Sequence, residues 1–250
     1  DSEGYTTDGF LKRFCAQYFG EEHADEIAGI YKDFYYSYWN QKTPDFPGGF
    51  DRQYVFQDLR HSQVIKQIYN TWNVYKENPL VEIGYESVPG RTFRIEGDSQ
   101  VDAMLAGLAQ EAVDFAGVAK RCDEVMGKLP GDKQMFFYDH LAAYSHYMAH
   151  LSKATYHFVH AYKHKESRFD DLTTALEEME GAKKALTDSE HSVFEGWYDT
   201  DDKFEMDNRI EMIRTLMPDA EDLTLTERLI ENYDFEYNHD CVLNQPGNIG

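Results

Sequence analysis

The stretch DKQMFFYDHLAAYSHYMAHLSKATYHFVHAYKHK, residues 132–165, decides the fold class. It is 34 residues long, contains no Pro or Gly, and has no strict alternation of apolar and polar residues. Tyr144, Tyr147, Leu151, Phe158 and Tyr162 recur at helical spacing, so the segment reads as the longest helix of the chain. Pro130-Gly131 marks the turn that precedes it.

The same pattern extends to either side. Asp98 to Lys128 reads as a long helix, capped by Asp98 or Ser99, with Val101, Leu105, Leu108, Phe115, Val118 and Cys122 along one side. Phe169 to Asp199 is another, carrying Leu172, Leu176, Met179, Ala182 and Leu186. Toward the N-terminus, Gly9 to Phe19 and Glu21 to about Lys42 read as two helices separated by Gly20. Asp51 to Asn78 is a third, with Val64, Ile65, Ile68, Trp72 and Tyr75 as its stripe. Shorter helices are expected over Phe204–Met217 and Leu225–Tyr233. Residues 79–97, with Pro79, Gly84, Pro89, Gly90 and Gly97, break the periodicity and read as one long irregular connection. The expected architecture is all-α: an antiparallel bundle of four to five long helices plus shorter ones, joined by short turns. One domain is expected over 1–237, followed by a loose tail over 238–250.

Composition narrows the function. The chain has 250 residues, 24 Lys+Arg against 46 Asp+Glu, and a formal net charge of −22. Phosphate recognition needs clustered basic residues, so a nucleic-acid partner is not expected. No run approaches the roughly 20 apolar residues of a membrane span. Cys15, Cys122 and Cys241 are far apart and odd in number, so neither a disulfide framework nor a CxxC metal motif is present. The opening DSEGYTTDGFLKRF has no basic segment followed by an apolar one, so it does not read as a signal peptide. Aromatic residues make up 15% of the chain, enough to build a core without staples. Trp39 and Trp197 are expected core anchors, each worth about 3–5 kcal/mol against Ala if buried.

Ten histidines occur, and six lie between His140 and His164. On a helix, His146, His150, His157, His160 and His164 fall within an arc of about 80° beside the apolar stripe. Pairs at i,i+4 such as His146/His150 and His160/His164 are candidate metal ligands. The blander reading is a row of half-buried imidazoles against a neighbouring helix. No ExxH motif accompanies the row, and His150 and His164 are about 21 Å apart by helix rise. Protonating the arc below about pH 6 is expected to weaken whatever it touches. DTDDKFE, residues 199–205, resembles a calcium loop but has Lys203 where a ligand should stand. The cluster FYYSYWNQKTPDF, residues 34–46, offers Tyr35, Tyr38 and Trp39 as candidate glycan or interface contacts. No nucleophile elbow, P-loop, HExxH or dinucleotide fingerprint is present, so no catalytic or cofactor-binding residue is assigned.

Residues 10–46, FLKRFCAQYFGEEHADEIAGIYKDFYYSYWNQKTPDF, resemble a segment of glycoside hydrolase family 115, the xylan α-1,2-glucuronidases. Phe19-Gly20-Glu21, Ala24, Glu26-Ile27-Ala28 and Lys42-Thr43-Pro44-Asp45 carry the likeness. Residues 135–165 resemble a later helix of that family through Phe137-Tyr138 and Leu141, with its usual Pro replaced near Ser145-His146. FEGWYDTDDKFEMD, residues 194–207, resembles a pattern that follows these helices. The resemblance implies a helical domain that follows a catalytic barrel, packs on it, and shapes its cleft or a subunit interface. The barrel carries that family's catalytic carboxylates, and none is carried over here. The implied partners are the barrel of the same parent protein, a polysaccharide reached through it, and a second copy in a homo-oligomer. The implied location is periplasmic or extracellular. Two other readings stand beside it: a free-standing helical binding module for a protein or glycan, and a metal-binding bundle built on the histidine row.

Overall fold

In a computed structural model of the chain, residues 6–39, 64–65, 98–191, 195–196 and 206–217 are described. Among them the secondary structure is helical and no strand occurs. The helices are α1 (Thr7–Phe19), α2 (Ala24–Trp39), α3 (Asp98–Met126), α4 (Gly131–Phe137), α5 (Ala143–Lys163), α6 (Arg168–Thr187) and α7 (Met206–Leu216). A π-helical turn, Tyr138–Ala142, joins α4 to α5 without a break. The expected helix over 51–78 is represented by Val64 and Ile65, both helical and buried. The connection over 79–97, the 199–205 loop, the helix at 225–233 and the start of a tail near 237 lie outside the described residues.

Local chemistry sets the boundaries. Helix α1 starts two residues before Gly9, because the Thr6 hydroxyl accepts the Gly9 N–H at 3.0 Å and caps the first turn. It stops at Gly20, whose φ of 99° is open to a residue without a Cβ. The chain then makes a 3₁₀ turn, Glu21–His23, before α2 begins. Between α5 and α6 the turn is Lys165–Ser167. Buried Arg168 donates from Nε to the Ala161 carbonyl at 3.0 Å, satisfying an acceptor in the last turn of α5. Helix α6 ends at Thr187, well short of the expected Asp199.

Two compact units divide the chain: residues 1–43, 108–153 and 177–206 form the first, and 44–107, 154–176 and 207–250 the second. In the first, Cys15, Phe19, Ile27, Ile30, Val118, Cys122, Val125, Phe137 and Leu141 make a continuous core. Its ion pairs show how the helices run. Lys12 meets Asp25 and Lys32 meets Asp8, so α1 and α2 are antiparallel. Glu26 meets Lys128 and Asp33 meets Arg121, so α2 and α3 are antiparallel as well. These exposed pairs report direction more than stability, at about 0–1 kcal/mol each. In the second unit, Val64, Ile65, Val101, Leu105, Phe158, Val159, Leu172, Ile210 and Ile213 are buried.

Candidate functional site

The histidine row of α5 meets acidic residues of two neighbouring helices. In the first unit His146 Nε2 lies 2.9 Å from Asp123 Oδ1 of α3. His150 Nδ1 lies 2.7 Å from Glu178 Oε2 of α6, and Lys153 also donates to Glu178. The His150 ring rests on Gly181, where an added Cβ would stand 2.8 Å from Nδ1 and 3.0 Å from Cε1. A glycine inside a helix costs about 1 kcal/mol against Ala, and here it lets an imidazole lie on the backbone.

In the second unit one carboxylate gathers three donors. Asp171 is 7% exposed and accepts from His157 Nδ1 at 2.8 Å, His160 Nδ1 at 2.7 Å and the Ser167 hydroxyl at 2.7 Å. Burial opposes its charge, but the hydrogen bonds from Ser167, His157 and His160 outweigh it and hold the carboxyl below its ordinary value. Glu178 follows the same logic: burial opposes its charge, while His150 and Lys153 hold it low. His164 stacks on His160 with ring centres 4.2 Å apart and lies 3.5 Å from Glu166.

This arrangement settles how the five candidate metal ligands sit. His146, His150, His157, His160 and His164 share one helix, but only His157 and His160 meet at one acid, Asp171, while the others face Asp123, Glu178 and Glu166. Two rings whose Nδ1 atoms converge on the same carboxylate turn their Nε2 atoms away from it. Among the described residues no group of three His, Cys, Asp or Glu side chains is placed to hold a metal ion. Each imidazole of the row faces an acid. A carboxylate accepts from an imidazole in either protonation state, so mutual repulsion is countered at each position.

The histidines stand out in the sequence and their acidic partners do not, although a signal is there. His150 and His157 are seven residues apart, and so are Asp171 and Glu178. Seven residues are two helical turns, so each pair lies on one face. An antiparallel α5–α6 pair then matches 150 with 178 and 157 with 171.

The second feature lies wholly in the first unit and is aromatic. Phe14 and Tyr18 of α1 are 4.7 Å apart, and Tyr18 stacks on Phe136 of α4 at 5.6 Å. Phe136 stacks in turn on His140 of the π turn at 5.4 Å. Phe10, Tyr18, Met135 and Phe136 are 48%, 41%, 57% and 38% exposed, so the run forms an aromatic face on the surface. The Tyr31 hydroxyl of α2 lies 2.6 Å from His140 Nδ1 beside it. Of the candidate contacts read from sequence, Tyr35 is 54% exposed and packs edge-on to Tyr36 at 5.7 Å. Tyr38 and Trp39 belong to the last turn of α2, and their side chains lie outside the described ones, as does Trp197.

No family model, curated protein or solved structure matches this chain.

Proposed function

We propose that this chain is an accessory helical domain of a polysaccharide-degrading glycoside hydrolase, packing on a catalytic barrel and shaping its cleft or a subunit interface. The observation that carries the reading is the aromatic face of α1 and α4, with Phe10, Tyr18, Met135 and Phe136 all more than a third exposed. Contiguous apolar surface of this kind on a soluble protein marks a place where something docks. The face begins in residues 10–46, the stretch that resembles glycoside hydrolase family 115. On this reading catalysis belongs to the barrel, the polysaccharide reaches this domain through the parent enzyme, and the location is periplasmic or extracellular.

The test is the coding sequence upstream of Asp1. About 250 residues of alternating strands and helices with acidic residues at strand ends would support the reading. A start codon and leader immediately before Asp1 would overturn it. The second reading, a free-standing binding module, is favoured by Tyr35 and Tyr36 of α2, both 54% exposed. Binding of xylan or xylo-oligosaccharides that is lost in Tyr35→Ala would move the conclusion to it.

A further inference from the structure

The aromatic face of α1 and α4 has a firm backing and an uneven charge along its length. Phe136 is its centre. Its ring stacks on Tyr18 at 5.6 Å, on His140 at 5.4 Å and on Phe19 at 5.8 Å, with interplanar angles of 21°, 22° and 29°. Phe19 is 3% exposed and belongs to the core of the first unit. The surface rings therefore rest on a buried one, and a docking partner need not order them first. Phe, Tyr and Met, the residue types of this face, are enriched at protein interfaces.

Charge differs between the two ends. At the Phe10 end stands Arg13, whose Nη1 would lie 3.4 Å from a Cβ placed on Gly9. Tyr18 lies farther along α1 by about 14 Å of helix rise. At that end α1 has no basic residue in its last turn, so the partial negative charge of its carbonyls is uncompensated. Glu21 and Glu22 follow at once, and both are exposed. Asp132 stands one turn ahead of Phe136 in α4, with its side chain 75% exposed and Lys133 at 3.8 Å. His140 adds no cation at neutral pH. Burial pulls its imidazole below the ordinary 6.5, so it titrates in a limb of its own below that value.

We infer that the Tyr18–Phe136 end of this face binds a cationic, apolar protein surface, one that sets Lys or Arg side chains against the exposed rings and beside Asp132, Glu21 and Glu22. Such cations are attracted by aromatic rings as well as by carboxylates. The chain as a whole, at a net charge of −22, draws basic partners in and repels a second copy of itself. The inference rests on the docking role that the proposed function gives this face, and adds the chemistry of what docks there. The two fail separately, since the coding sequence upstream of Asp1 decides the parent enzyme and a binding experiment decides the cationic partner.

The test is binding of synthetic amphipathic helices to the full chain, with NMR to locate them. The probe carries Leu on one face and Lys on the other, and its two controls replace Lys by Glu and Leu by Ser. The Leu/Lys helix should bind about tenfold or more tightly than either control, and more weakly as salt is added. It should shift the Tyr18 and Phe136 ring signals ahead of that of Tyr35, a readout that needs no variant. Phe136→Ala should weaken it by about tenfold or more, as loss of a central contact does. Asp132→Asn, an exposed change, should weaken it by about twofold to fivefold, and Tyr35→Ala should leave it as it was. Binding no tighter than that of a control overturns the inference. So does binding that Phe136→Ala leaves unchanged, or ring shifts centred elsewhere. Self-association that strengthens with salt and is lost in Phe136→Ala also overturns it, in favour of a second copy of the chain.

Discussion

Asp171 and Tyr31 each hold imidazoles, one through a carboxylate and the other through a phenol. Asp171 is a buried acceptor, so His157 and His160 have a partner with or without an extra proton. Tyr31 is a phenol, which donates to a neutral His140 or accepts from a protonated one. The residue type is the same and the helical context nearly so. What differs is whether the facing helix supplies a charged carboxylate or a neutral hydroxyl. A row of histidines therefore cannot be assigned one pH response from its spacing.

The strongest way to break this contrast is Asp171→Ala. It strips the acceptor from His157, His160 and Ser167 at once, and should cost about 2–3 kcal/mol in chemical denaturation. A loss under about 0.5 kcal/mol, the range of ordinary surface substitutions, would mean that the cluster is incidental. Gly181→Ala comes next. Helix propensity alone predicts a gain of about 1 kcal/mol, but the new Cβ would strike the His150 ring, so a net loss is expected. Adding His150→Ala should restore the gain, and a double-mutant cycle measures the coupling.

The acid limb sharpens the same comparison. Asp171 and Glu178 are held below their ordinary values of 3.8 and 4.5. Their contribution is therefore complete above those values and is lost as pH falls through the lower folded ones. Asp171→Asn should flatten stability against pH below about 4 and leave the His140 limb, which lies below 6.5, in place. If both limbs vanish together, the two regions are not independent. The smallest effect is expected from Lys12→Ala. It removes an exposed partner of Asp25 and should change stability by less than about 1 kcal/mol, screened further by salt.

Much of the helical structure was legible in the sequence because burial imposes a 3.6-residue period on α3, α5 and α6. The boundaries were legible only where a special residue marked them. Gly20 ends α1 where its lack of a Cβ predicts, whereas the Thr6 cap moves the start ahead of Gly9. The π turn was invisible, because one extra residue in a turn leaves every later apolar position in an equally good helical pattern. The candidate site was half legible. His146, His150, His157, His160 and His164 stood out by spacing, while Asp123, Asp171 and Glu178 were hidden among 46 acidic residues. Only the seven-residue match between the two helices could have singled out Asp171 and Glu178.

The sequence by itself determined that the chain is all-α, strongly acidic and rich in imidazoles along one helix. These properties follow from composition and local periodicity, which need no knowledge of what packs against what. The tertiary structure decided which imidazoles meet a carboxylate and which meets a phenol. It also decided that Phe10, Tyr18 and Phe136 stay at the surface when other aromatic residues are buried. Those outcomes depend on helices brought together from distant parts of the chain. Hydrogen bonds and ring contacts act over a few ångströms, and sequence separation says nothing about such distances.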